Sequence, residues 1–134
     1  MEDQFLNVEQ INMLLNSGDK LQDKVERSLY TTPGGGLIAV SNSKLYDDDT
    51  FWYSCTVDYF KEKGADRICF VAGKLGIILL PISALSNYIK HCGWKQQRKG
   101  RSYYIRIKLR DGAYSLFSSE DKDLNVTNYF IPTE

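Results

Sequence analysis

The sequence predicts an α+β fold: a mainly antiparallel sheet with an N-terminal helical segment and two short helices. Three observations carry this. Apolar residues recur at helical spacing near the N-terminus, branched and aromatic runs dominate from Leu37 onward, and Asp111-Gly112 separates two strand-like segments. With 134 residues, 43% hydrophobic and 25% charged, the chain has the size and composition of a single domain. The expected division is a helical segment over residues 1–30 and a strand-rich core over residues 37–131.

Phe5, Val8, Ile11, Leu14 and Leu15 fall three and four apart, the period of an amphipathic helix, and Asn16-Ser17-Gly18 supplies a stop. Leu21, Val25 and Leu29 predict a second helix that ends before Thr31-Thr32-Pro33-Gly34-Gly35-Gly36, a loop dividing the helical third from the rest. Leu37–Val40 and Phe51–Cys55 read as strands joined by a polar loop, with Trp52 and Tyr53 packed in the core. Thr56 is positioned to cap a short helix through Lys63, with Asp58 in its first turn. Arg67–Ala72 and Gly76–Leu80 flank the turn at residues 73–76 and are apolar almost throughout, which predicts a hairpin buried on both faces. Ser83 is the expected cap of a helix over residues 84–91. Tyr103–Leu109 and Ala113–Phe117 flank Asp111-Gly112, a pair suited to a tight primed turn.

Three cysteines without a CxxC pair, two of them in apolar runs, point to a reducing compartment. The acidic N-terminus lacks the pattern of a signal peptide, and the longest apolar run is shorter than the roughly 20 residues of a membrane span. The expectation is a cytoplasmic protein that does not enter a membrane.

The formal net charge is zero, but its distribution is uneven. Residues 1–66 hold twelve of the seventeen acids, whereas residues 90–110, KHCGWKQQRKGRSYYIRIKLR, hold eight of the seventeen Lys and Arg and no acid. Period two sends Tyr103, Ile105, Ile107 and Leu109 to one face and Tyr104, Arg106, Lys108 and Arg110 to the other. Ahead of them, Trp94 to Arg101 reads as a basic loop. The nucleic-acid-binding candidates are therefore Lys95, Arg98, Lys99, Arg101, Arg106, Lys108 and Arg110 for phosphates, with Trp94, Gln96, Gln97 and Tyr104 for bases. Other readings use the same residues: a solvated edge strand guarded by cations, and a docking face for an acidic protein partner or for anionic lipid.

No catalytic signature emerges. Asp47-Asp48-Asp49 lacks the alternation of a calcium loop and reads as a loop tip. One histidine and three scattered cysteines give neither zinc spacing nor a Cys/His catalytic arrangement, and no Lys-Ser or Lys-Thr follows the glycines at 34–36. No catalytic residue, metal site or cofactor is assigned.

Several short stretches resemble modules of bacterial restriction and defence proteins: Ser43-Lys44-Leu45-Tyr46 with Phe51-Trp52-Tyr53, then Arg67–Val71, Ile78-Leu79-Leu80-Pro81-Ile82, Tyr104–Ile107 and Leu124–Tyr129. The likeness spans residues 37–131. Parts are similar to PD-(D/E)XK-type nucleases, in which a Ser-Lys strand, an aromatic strand and an apolar strand followed by Pro-Ile succeed one another. Those enzymes hold magnesium with an Asp and a Glu-x-Lys on adjacent strands. The candidates in this chain are Asp66 and Lys74, yet Ala72 stands two before Lys74 and Leu37–Val40 holds no acid. The resemblance thus implies a degenerate or accessory DNA-binding module, with DNA as partner and a possible partner subunit or larger parent chain. Two alternatives remain: a metal-dependent nuclease using Asp47–Asp49 or Asp66 with Lys74, and a protein-interaction module docking on an acidic partner.

Overall fold

The computed structural model describes residues 5–26, 28–46, 48–92, 103–117 and 123–133, except for the side chains at 91, 92, 103 and 104. The described residues form three α-helices and ten strands in two sheets, the α+β architecture expected. Strands β1 (Lys24–Glu26), β2 (Leu29–Thr31), β3 (Leu37–Ser43), β5 (Arg67–Ala72), β6 (Gly76–Pro81) and β10 (Phe130–Pro132) make the first sheet, in the order β1-β2-β3-β5-β6-β10. Strands β4 (Thr50–Cys55), β7 (Tyr103–Arg110), β8 (Ala113–Leu116) and β9 (Leu124–Asn125) make the second, in chain order. All neighbours are antiparallel except β3 and β5. The chain between those two strands leaves through β4 and returns through helix α2 (Val57–Glu62).

The hairpin of β5 and β6 is central and covered on both sides. Alternation along β5 sends Ile68, Phe70 and Ala72 to one core and Cys69 and Val71 to another. The second core is closed by Leu6, Ile11, Leu15 and Leu21 from the N-terminal segment around helix α1 (Val8–Leu14). The first is closed by helix α3 (Ile82–Cys92), through Leu85, Tyr88 and Ile89, and by the inner face of the second sheet, through Phe51, Tyr53, Ile105, Ile107 and Leu116. Tyr53 joins the two sheets directly. Its ring lies 4.7 Å from that of Phe70, and its buried hydroxyl donates to the Val71 carbonyl at 3.0 Å.

Helix α1 starts in a capping box, with the Gln10 N–H donating to Asn7 Oδ1 and the Asn7 N–H to Gln10 Oε1, both at 2.9 Å. It ends before the expected Gly18 stop, because Leu15 is already extended and the Lys20 ammonium donates to the Asn12 and Leu15 carbonyls. Thr56 occupies the N-cap of α2 without a side-chain capping bond, and α3 begins one residue ahead of Ser83.

The expected second helix does not form. Lys24–Glu26 and Leu29–Thr31 instead pair as the antiparallel strands β1 and β2, and Ser28 ahead of β2 has a φ of 65°. Leu21, Val25 and Leu29 fit helical spacing, but Leu29 is worth more against β3, where it pairs with Ala39 and is 1% exposed. The Asn12 amide completes the switch by bonding both the N–H and the carbonyl of Leu21, as a neighbouring strand would. The glycine loop is consequently a turn within one sheet, not a boundary. Thr32 N–H bonds the Gly36 carbonyl at 3.0 Å, and Gly35 supplies a φ of 92°.

The hairpins at residues 73–76 and 111–112 form as expected. Asp111 and Gly112 have φ of 54° and 78°, the two positive values a type I′ turn requires.

Two predictions follow from this packing. A Cβ at Gly76 would lie 2.3 Å from the Ile131 carbonyl oxygen and 2.8 Å from the Phe130 ring. Gly76→Ala is therefore expected to push β10 off the sheet and lower stability by about 1–3 kcal/mol in urea denaturation. The second concerns Arg67, which donates to Asp19 at 2.6 Å and ties the N-terminal segment to β5. That bond holds the Asp19 carboxyl below its ordinary value of 3.8. Asp19→Asn should cost about 1 kcal/mol at neutral pH. The deficit should shrink as pH falls through the lowered Asp19 pKa, where the native protein also loses the charge, and urea midpoints at neutral and acid pH measure it.

Candidate nucleic-acid interface

Strict alternation divides the second sheet. Phe51, Tyr53 and Cys55 of β4 and Ile105 and Ile107 of β7 are buried, so Trp52, Ser54, Arg106 and Lys108 lie on the outer face. The register then sets neighbours: Trp52 opposite Arg106, Thr50 opposite Lys108, Ser54 opposite Tyr104, and Lys108 opposite Ser115. Phe117, just past β8, is fixed beside Arg106 by its N–H, which donates to the Arg106 carbonyl at 3.2 Å.

Aromatic rings and cations interleave on this face. The Arg106 guanidinium lies 5.5 Å from the centre of the Trp52 ring and 4.5 Å from that of Phe117, and the Lys108 ammonium lies 4.8 Å from Phe117. Ring quadrupoles attract both charges and hold the long side chains against the sheet. Among the described residues, neither Arg106 nor Lys108 has a carboxylate within ion-pair distance. The positive charge is thus ordered but not neutralised by a described acid.

The face continues beyond β4. Leu45 bridges to Phe51, and the Trp52 N–H donates to Ser43 Oγ at 2.9 Å, which carries Lys44 and Tyr46 to the flank of Trp52. Lys44 places its ammonium 4.9 Å from the Tyr46 ring centre. Lys44, Leu45, Tyr46, Asp48 and Trp52 line an open depression of about 370 Å³.

Of the residues proposed from the sequence, Arg106, Lys108 and Arg110 project from β7, with Arg106 and Lys108 half-buried and Arg110 exposed. Tyr104 is placed by register only. Trp94, Lys95, Gln96, Gln97, Arg98, Lys99 and Arg101 lie outside the described residues. The solvated-edge reading does not hold for β7, which is paired on both sides, by β4 and β8. Trp52, expected in the core with Tyr53, is 41% exposed, whereas Tyr53 is 1% exposed. Its position was readable from Thr50 and Ser54, the polar residues that share its face. Lys44, Tyr46 and Phe117 carried no comparable signal, because only strand register brings Phe117 to Arg106, and only the Leu45 bridge and the Ser43 bond bring Lys44 and Tyr46 to Trp52.

Asp47 lies outside the described residues, and the acidic candidates among the described residues do not converge. Asp66 and Lys74 stand beyond opposite ends of the six-residue strand β5, roughly 20 Å apart at strand rise. The carboxylate and the ammonium cannot meet at one catalytic centre. Asp48 and Asp49 are exposed in a turn, where the Asp49 N–H bonds the Tyr46 carbonyl at 3.0 Å. Among the described residues, no group of three or more His, Cys, Asp or Glu could hold a metal. Burial pushes the Cys55 thiol up and the Cys69 thiol up to about 12, so both stay protonated and unreactive at neutral pH.

The fold and this face define an α+β domain with an open, basic and aromatic sheet surface. Protein-family models, curated proteins and solved structures give no match to this chain. Among the described residues, no helix is long and apolar enough to cross a membrane.

Removing the guanidinium should uncover Trp52. In a Trp94→Phe background, where Trp52 is the remaining tryptophan, Arg106→Ala is expected to increase acrylamide quenching of its fluorescence. Stability should fall by only about 0.5–1 kcal/mol, since the pair is on the surface.

Proposed function

We propose that this chain is a non-catalytic nucleic-acid-binding module that takes DNA across the outer face of its four-stranded sheet. The observation that carries this reading is the Arg106 guanidinium packed between Trp52 and Phe117, with Lys108 beside it and no described acid to neutralise either. Cations spaced along a strand suit a phosphate backbone, and rings between them suit stacked bases. Base–aromatic stacking contributes about 1–3 kcal/mol per base.

The geometry favours single-stranded over duplex DNA. A sheet face with an exposed ring meets splayed bases, whereas reading a duplex requires an element that enters a groove. The sequence just before β7 also carries Lys95, Arg98, Lys99 and Arg101, further candidates for phosphate contacts. The resemblance to restriction and defence modules supplies the setting of the proposal: target recognition on behalf of a partner subunit or a larger parent chain that performs the chemistry.

The test is an anisotropy titration of labelled single- and double-stranded DNA at two salt concentrations. Single strands should bind more tightly. Contacts from Lys44, Arg106 and Lys108 alone give a slope of log affinity against log salt of about −2. Arg106→Glu with Lys108→Glu should weaken binding by at least about tenfold for all sequences alike. Affinity that is absent at low salt, or indifferent to salt, would refute the proposal. Capture of an acidic protein that survives nuclease treatment would instead assign the face to protein docking.

A further inference from the structure

The depression beside Trp52 has a composition that the basic face alone does not explain. It combines two rings, Tyr46 and Trp52, with one cation, Lys44, and one carboxylate, Asp48. At about 370 Å³ it falls at the small end of the roughly 300–1,000 Å³ spanned by small-ligand clefts. Its walls are held in fixed relation by the Leu45–Phe51 bridge and by the Tyr46 N–H, which bonds the Thr50 carbonyl at 3.0 Å. The Thr50 hydroxyl donates to the main-chain oxygen of Asp48 at 3.2 Å. The Asp48 carboxylate itself makes no hydrogen bond or ion pair with another described residue.

We propose that this depression is a pocket for one unstacked base and that guanine is its preferred occupant. The inference rests on the nucleic-acid reading above and specifies what that face selects. Trp52 belongs to both features, packed near Arg106 and lining the depression, so a strand crossing the cations has a stacking surface at hand.

The polar pair chooses among bases. Guanine presents, along its Watson–Crick edge, the O6 acceptor followed by the N1–H and N2–H donors. An ammonium can donate to O6 while a carboxylate accepts from both N–H groups, a bidentate arrangement. Thymine offers one donor between two carbonyl oxygens, so the second carboxylate oxygen would face another oxygen. Adenine and cytosine offer an exocyclic amine beside an unprotonated ring nitrogen, which again repels one carboxylate oxygen. Guanine alone offers the carboxylate two adjacent donors while leaving an acceptor for the ammonium on the same edge.

The experiment compares single-stranded oligonucleotides of about twelve nucleotides. One contains thymine only, a second carries a central guanine, and a third carries inosine at that position, which lacks the 2-amino group. Anisotropy titration is expected to give about tenfold tighter binding for the guanine strand than for the thymine strand, with inosine between them. Asp48→Asn, at an exposed turn position, should remove the guanine preference. The inosine comparison requires no change to the protein and so does not depend on the variant folding. Equal wild-type affinity for guanine and thymine strands, or a guanine preference that survives Asp48→Asn, overturns the pocket and leaves binding by the sheet face standing. Failure of every oligonucleotide to bind overturns both.

Discussion

The arrangement depends on burying both faces of the β5–β6 hairpin. Side chains along these strands are apolar on both sides, so neither face can be left to water without exposing large hydrophobic area. One cover comes from the N-terminal segment with α1, the other from α3 and the second sheet. Having given its inner side chains to that cover, the second sheet has only its outer face to offer a partner. The location of the candidate interface is thus a consequence of core formation, and the Tyr53 hydroxyl bond to Val71 fixes the distance between the two layers.

The outer face gains its character from register. Arg106 and Lys108 come from one stretch of sequence, but Trp52, Phe117, Lys44 and Tyr46 come from three others. A half-turn of β7 about its axis, or a slip of one residue, would put Ile105 and Ile107 in water and the cations in the core. The Asp111-Gly112 turn guards against that slip on one side and the six-residue pairing with β4 on the other. Charge placement and core packing are specified by the same alternation.

Much of this was legible in the sequence, for reasons that differ by element. The β5–β6 hairpin was readable because an apolar run punctuated by glycines admits few other folds. The β7–β8 hairpin was readable because Asp-Gly and a clean period of two agree. Residues 19–30 misled because leucine and valine four apart satisfy a helix as well as two short strands, and a distant partner, β3, decides between them. The site was half visible. Clustered charge pointed to β7, but nothing local marks Asp48 or Lys44 as neighbours of Trp52, since their proximity arises from a turn and a single β-bridge.

The division of β4 and β7 into inward and outward residues also bears on how such a domain can change over time. Substitutions at outward positions such as 52, 106 and 108 leave the interior untouched, and changes of this kind cost at most about 1 kcal/mol of stability. Recognition can therefore drift, residue by residue, at little cost to folding. A lineage in which the preferred ligand shifts would keep the buried half of each strand and rewrite the other half.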